Sequence, residues 1–189
     1  MTKKNENASE MLMEKLLKSR RILLSEEVNM ETSQKIIDKL FLLEQDDSEK
    51  PIYLFINSPG GEVCSGLAIY DAMEFIKPKV ITVACGLVAS IASIIYLQPE
   101  KESRLSLPHA EFLLHQPLGG VKGSASELEI HANHILKTRS RLNLLIADKT
   151  GQDLKKVEEN TRRDFWMDAE EAVNYGLAKC IIKNASELD

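Results

Sequence analysis

Cysteine is scarce in this 189-residue chain. Cys64, Cys85 and Cys180 are an odd number at no metal-ligand spacing, so neither a disulfide framework nor a cysteine-built metal centre is expected. Each lies in an apolar context, which reads as a buried free thiol in a reducing compartment. Positive charge is not in excess: the formal net charge is −5, the wrong sign for a nucleic-acid footprint. The opening "MTKKNENASE" has no apolar stretch behind its lysines, so no secretory signal is read there. The longest uncharged run, "VITVACGLVASIASIIYL" at residues 80–97, reaches only the lower edge of a membrane span. Its β-branched start, interrupted by Gly86, fits a buried strand, a turn and a buried helix better. Internal repeats and low-complexity linkers are also missing. A cytoplasmic chain with no membrane segment is the expectation.

What is there suits a globular domain with a real core: 43% hydrophobic and 28% charged residues. "SEMLMEKLLKSR" reads as a short amphipathic helix with Met11, Leu12, Leu16 and Leu17 on one side, and "RILLS" as a strand. "METSQKIIDKLFLLEQDD" is a helix in which Ile36, Ile37, Leu40, Phe41 and Leu43 recur at helical spacing. "PIYLFINS" is nearly continuously apolar, the habit of parallel strands covered on both faces. "SGLAIYDAMEFIKP" is a helix stopped by Pro78. "VITVA" is the next buried strand, "GLVASIASIIYLQP" a turn plus helix, and "AEFLLHQP" another strand. A long helix runs from Ser124 to about Lys149, with Leu128, Ile135, Leu142 and Leu145 on one stripe. The following charged stretch through "TRRDFWMDAEEAVNYG" reads as helical, with Asp168 as N-cap, Glu171 three residues on, and Gly176 as C-cap. "LAKCIIK" is a last strand. Strands alternating with helices give an α/β single domain.

Four features carry chemistry. Ser90 follows Gly86 where a strand gives way to a helix, beside backbone N–H groups that a helix start leaves unpaired. It is either a helix cap or a reactive hydroxyl. "INSPGG" lets the backbone approach a ligand with its amides free, as a sharp turn or as an oxyanion site. His115 ends a buried strand and is either hydrogen-bonded core or a general base. Asp164, between two arginines and Phe165-Trp166, is either a surface ion-pair partner or a partly buried carboxylate that orients an imidazole. His131 and His134 lie three apart on a helix with no carboxylate to complete a metal site, so they read as a solvated face.

"INSPGG", "ASIAS" after "VACG", "LLHQPLGG", "EIHANHIL" and "TRRDFWMDAEEAVNYGL" together resemble the proteolytic subunit family of the Clp protease, from about Arg20 to Ile182. The resemblance implies a crotonase-like ββα superhelix (the ClpP fold) with a protruding handle helix, and a serine peptidase. The peptidase domain would span residues 20–183, with a divergent N-terminal segment before it and a tail at 184–189. Ser90 matches the nucleophile, His115 the general base and Asp164 the orienting carboxylate. The amides of Gly61 and Ile91 match the oxyanion hole. Val63, Pro117 and Leu118 fall in the segments that bind substrate as an added strand. Tyr53, Phe55, Phe75, Val83, Leu105 and Leu107 match the apolar pockets on which an AAA+ unfoldase docks. That partner would use ATP to thread unfolded polypeptide into two stacked rings of seven. The peptidase itself would need no cofactor.

The chain departs from the family pattern in places. Ile91 and Ala92 stand where methionine and glycine are usual, and Leu87 where glutamine is. The Ala92 methyl is expected to tighten the pocket. Arg162 replaces an acidic residue expected to pair across the ring junction. The usual N-terminal processing segment and pore hairpin are not recognisable. These changes point to a divergent paralogue working in a mixed complex with a second ring type. A catalytically weak or silent ring subunit, and an acyl-CoA enzyme of the crotonase type, are the alternative readings.

Overall fold

A computed structural model describes residues 15–120 and 122–188. Most of the divergent N-terminal segment, with Met11 and Leu12 of the first helix, lies outside the described residues. Helical residues 15–18 (α1) lead into β1 (Arg21–Leu24), α2 (Met30–Asp46), β2 (Ile52–Ser58), α3 (Val63–Phe75), β3 (Val80–Ala89) and α4 (Ile91–Tyr96). Then come β4 (Arg104–Ser106), β5 (Glu111–Leu114), α5 (Ala125–Thr150), α6 (Leu154–Asn160), β6 (Phe165–Met167), α7 (Ala169–Tyr175) and β7 (Cys180–Ile181). The sheet runs β1-β2-β3-β4-β7, with β5 attached to β3 and β6 to β5. Every pairing is parallel except β5 with β6. This is the α/β architecture expected.

Alternation along β2 divides its side chains between two faces. Ile52, Leu54 and Ile56 enter the main core with Ile36, Leu40 and Leu43 of α2 and Ile69 and Met73 of α3. Tyr53 and Phe55 point the other way, into a small cluster with Val83, Leu105, Ile182 and Leu188. Covering on both faces was expected for β2. In fact no helix of the main core covers the second face, and Tyr53 and Phe55 stay partly exposed. The thiols also depart from expectation: all three cysteines are free, but Cys64 is exposed and Cys85 and Cys180 only partly buried.

Two further corrections concern element boundaries. Gly86 is not the strand-to-helix turn. β3 continues through it to Ala89, and the helix is only Ile91–Tyr96. The residues before Asp168 are not uniformly helical either, because α6 stops at Asn160 and Phe165–Met167 forms β6. Two aromatic residues and a methionine favour an extended strand once a partner edge exists, and β5 supplies that edge. The caps of α7 are as read: Asp168 and Glu171 form a reciprocal capping box, and Gly176 closes the helix at φ 92°.

The long helix α5 buries only Leu142, Asn143 and Ile146, all in its second half. Leu128 and Ile135 of the expected stripe stay out of the core, Leu128 being 43% exposed. A Ser124–Glu127 capping box starts α5 and Gly151 ends it. The C-terminal turn is anchored by Arg104, whose Nη2 donates to the Lys149 carbonyl at 2.8 Å, a cation at the negative end of the helix dipole.

Arg20 has the same role for α2 at larger scale. Its guanidinium donates to the carbonyls of Leu43, Asp47, Lys50 and Pro51 at 2.9–3.0 Å. Leu43 lies in the last turn of α2, Asp47 is its C-cap, and Lys50 and Pro51 belong to the loop that leads into β2, so one side chain ties the helix end to that loop. Arg20→Ala is therefore expected to lower unfolding free energy by about 2 kcal/mol or more, with the loss read from urea unfolding. Arg20→Lys should recover only a fraction, since an ammonium cannot reproduce the fork.

Candidate active site

The site is built where β3 changes partner. Residues 82–84 of β3 pair with β4, and residues 87–89 with β5. Between them the register against β2 slips: Ile56 faces Ala84, but Ser58 faces Val88. Gly86, at φ 83°, occupies the slip, and a Cβ there would lie 2.7 Å from Asn57 Oδ1. That same oxygen accepts the Leu87 amide at 3.0 Å. The bulge bends β3 toward β5, as bulges do when they re-aim a strand end.

Ser90 follows directly, at φ 56° and ψ −126°. A non-glycine residue held there costs on the order of 1–3 kcal/mol and persists only where its surroundings enforce it. The Ser90 amide donates to Leu113 O at 2.9 Å. Ser93, one turn on, donates its hydroxyl to the carbonyls of Val88 (2.8 Å) and Leu113 (3.1 Å). Ser90 sits at the N-cap of α4 but makes no side-chain cap bond. The helix-cap reading therefore has no support, and the hydroxyl is left open to the cleft.

The Pro-Gly-Gly turn packs against this elbow. A Cβ on Gly60 would stand 2.7 Å from both the Ala89 carbonyl oxygen and Ser90 Cβ, and 3.1 Å from the Ile91 nitrogen. Ser58 Oγ accepts the Gly60 amide at 3.2 Å and donates to the Glu26 carbonyl at 2.6 Å, fixing the turn. Among the described residues, the amides of Gly61 and Ile91 donate to no acceptor. The Ile91 amide directly follows the serine, and the Gly61 amide directly follows Gly60, the residue that packs against the elbow.

His115 reaches the same place through β5. It lies one residue past Leu114, and Ala89 is registered against Leu113. Ser90 and His115 line one cleft of about 20 Å³ with Val63, Ile91, Pro117 and Asn143, space for roughly one water. Leu118 does not line it and is 81% exposed. Ala92 does not line it either, being wholly buried in the main core, so its methyl does not tighten the cleft. The antiparallel register Leu114↔Phe165 sets His115 opposite Asp164. His115 Nδ1 lies 3.7 Å from Asp164 Oδ1, beyond hydrogen-bond reach. The Asp164 side chain is 65% exposed, which favours the surface reading of this carboxylate over the partly buried one.

The chain matches the Clp protease family over residues 3–185. That decides the assignment. The chain belongs to the Clp protease family, a family of serine peptidases. It is 49% identical, over 98% of its length and 94% of the relative's, to ATP-dependent Clp protease proteolytic subunit 2 of Treponema denticola. A relative named ATP-dependent Clp protease proteolytic subunit, from Ligilactobacillus salivarius, is 47% identical over 92% of this chain and 88% of its own. Proteolytic subunit 2 of Treponema pallidum is 42% identical over 97% and 92%. These names leave the acyl-CoA reading without support. The ClpP fold anticipated from the motifs is the family's fold.

Of the residues expected to form docking pockets, Tyr53, Phe55, Val83, Leu105 and Leu107 share the small cluster on the second sheet face. Val83 and Leu105 are buried there, and Tyr53 donates its hydroxyl to the Leu188 carbonyl at 3.2 Å. Phe75 stands apart at the end of α3, edge-on to Phe41 with ring centroids 6.4 Å apart. His131 and His134 are exposed on α5, as the solvated-face reading expects. No cluster of three metal-ligating side chains occurs among the described residues, and no described helix is long and apolar enough to cross a membrane.

Sequence reading missed Gln116, Asn143 and Thr161, which tie the parts together. The Gln116 amide donates to the Thr161 carbonyl at 2.7 Å, and its side-chain Nε2 to the Arg162 carbonyl at 3.1 Å. Thr161 Oγ1 lies 3.0 Å from Asn143 Oδ1. No local pattern marks these residues, because each acts on a partner at least eighteen positions away. The contact of Gly60 with the elbow is the most demanding of the set. Gly60→Ala is expected to cut fluorophosphonate labelling of Ser90 on the order of 100-fold, the scale for displacing a reacting group by about 1 Å. The circular dichroism of the sheet should remain.

Proposed function

We propose that the chain is the proteolytic subunit of an ATP-dependent Clp protease, a serine endopeptidase that hydrolyses peptide bonds of unfolded polypeptides. The observation that carries this reading is the meeting of four segments. Ser90 at a positive-φ elbow and His115 share a cleft, Asp164 stands beside the imidazole, and the Pro-Gly-Gly turn packs against the elbow through Gly60.

His115 takes the Ser90 proton as Oγ attacks the peptide carbonyl. The Gly61 and Ile91 amides hold the tetrahedral oxyanion, each worth about 3 kcal/mol in the transition state. His115 then gives its proton to the leaving amine as the C–N bond breaks. Water, deprotonated by the same imidazole, attacks the acyl ester and frees the new carboxyl group and Ser90. Asp164 orients the imidazole and balances its charge. The 3.7 Å separation closes when substrate or a neighbouring subunit seats the Asp164 loop. The peptide lies as an added strand between residues 61–63 and 117–118, so Val63, Pro117 and Leu118 contact it.

The subunit uses no cofactor of its own. ATP is spent by an AAA+ unfoldase that docks on the apolar face holding Tyr53, Phe55, Val83, Leu105 and Leu107, with Phe75 completing the surface from α3. Two stacked rings of seven enclose the sites, joined through α5. Arg162 favours mixed particles with a second ring type over homotypic ones, because like charges meeting across a junction repel. The work is done in the cytoplasm.

Ser90→Ala is expected to abolish fluorophosphonate labelling and lower peptide hydrolysis by at least about 10⁴-fold, and Asp164→Asn to lower it by about 10³-fold or more. Native mass spectrometry of the chain with and without a co-expressed second ring type reads the assembly. Failure of Ser90 to label in every assembly state would make this a silent ring subunit.

A further inference from the structure

The chain ends against the second face of the sheet. Strand registers place Phe55, Val83, Leu105 and Cys180 in one row across β2, β3, β4 and β7. Tyr53, two residues before Phe55 on β2, projects to the same side. Val83 and Leu105 are buried, whereas Tyr53, Phe55 and Leu107 are only partly so. The tail joins them there. Lys183 through Glu187 are all exposed, and Leu188 is then buried, 9% exposed, in the same cluster. One leucine buried after five exposed residues is an anchor, because its side chain alone in that segment gains from leaving water.

The anchor is lightly attached. Ile182 donates its amide to Ser106 O at 2.9 Å, where the tail leaves the sheet. Beyond it, Tyr53 donates its hydroxyl to the Leu188 carbonyl at 3.2 Å. Among the described residues, the other hydrogen bonds of this segment run inside residues 183–188. Glu187 Oε1 accepts the amides of Lys183 and Asn184 at 3.0 and 2.7 Å. Leu188 donates back to the Ala185 carbonyl at 3.3 Å, across a 3₁₀ turn at Ala185–Glu187. The two amides hold the Glu187 carboxyl below its usual range, so a charged acceptor closes this knot. A segment tied to itself, and to the sheet by one side chain and one hydroxyl, can lift as a unit without breaking a strand pairing. That is the low-stability end of local opening.

The seat filled by Leu188 is part of the face assigned above to the docking partner, and two occupants of one seat exclude each other. We propose that residues 184–188 are a latch on that face: Leu188 stands in for an apolar residue of the partner, which binds only when the tail lifts. The latch also describes its competitor. The partner presents an aliphatic side chain on an exposed loop and turns the backbone carbonyl of that residue to the Tyr53 hydroxyl, as Leu188 does. The inference rests on the docking reading for the identity of the partner.

The test uses full-length wild-type, Leu188→Ser and Glu187→Ala chains. The probe is the free peptide Asn-Ala-Ser-Glu-Leu-Asp, the sequence of residues 184–189, with its leucine methyls read by saturation-transfer NMR. Leu188→Ser should bind it on the order of tenfold tighter than wild type, the gain from freeing a site whose open form is about a tenth of the molecules. Glu187→Ala unties the knot but keeps the anchor, so it should fall between the two. Tyr53→Phe added to Leu188→Ser should weaken the peptide about threefold, the scale of one neutral hydrogen bond. A peptide with serine in place of leucine should give no signal. Equal binding by wild type and Leu188→Ser, or no binding by Leu188→Ser, overturns the latch.

The second arm measures binding of a purified AAA+ unfoldase from the same organism by biolayer interferometry. Leu188→Ser should bind it on the order of tenfold tighter than wild type. Weaker binding overturns the latch, because Leu188 would then be a wall of the seat, and unchanged binding overturns it too. A peptide gain with no unfoldase binding by any of the chains removes the docking reading alone, and unfoldase binding without a peptide gain removes the latch alone.

Discussion

Asn57 Oδ1 accepting the Leu87 amide at 3.0 Å pins the slip in register on which the whole site depends. Without it β3 would run straight on beside β4, and its end would lie away from β5. With it, β3 leaves β4 after Ala84 and joins β5 at Leu87. Ser90 then emerges with its amide held by Leu113 and with β5 leading directly to His115. The bend also brings Ser90 under the Pro-Gly-Gly turn, where only the missing Cβ of Gly60 leaves room. Strain at Ser90 is thus enforced from two sides, by a strand partner and by a neighbouring turn.

The third member of the group arrives by a different device. β6 pairs antiparallel with β5, so residues whose numbers rise on one strand meet falling numbers on the other. His115 and Asp164 are brought abreast although 49 positions separate them in the sequence. The loop before β6 is held to the end of β5 by the Gln116–Thr161 and Gln116–Arg162 bonds. Thr161 is in turn held to α5 through Asn143. The helix and the cleft therefore share one hydrogen-bonded joint, and a displacement of α5 has a direct path to the Asp164 loop.

Two surfaces remain underused by the single chain. Only the second half of α5 is buried, while Leu128, Ile130, Leu136 and Leu144 are exposed along it. A helix of 26 residues is about 39 Å long, and long helices draw most of their stability from packing. The second face of the sheet is likewise only partly covered, its aromatic pair Tyr53 and Phe55 meeting the C-terminal Leu188.

The alternation of apolar strands with amphipathic helices was legible from residue pattern alone, because burial leaves a periodic trace of 2 or about 3.6 residues. The caps at Asp168, Glu171 and Gly176 were equally legible, since a cap is a local hydrogen-bond problem with few chemical solutions. Ser90, His115 and Asp164 could be singled out as candidates by residue type and by family motifs. Their meeting could not. Strand β6, the bulge at Gly86 and the exposure of Asp164 depend on which edge lies alongside, and short segments take their conformation from that partner. The sequence by itself determined the layers, the caps and the reactive residue types, all set by interactions within a few positions. Tertiary structure alone decided the registers that bring Ser90, His115 and Asp164 together, because each requires groups far apart in the chain to share one hydrogen-bonded neighbourhood.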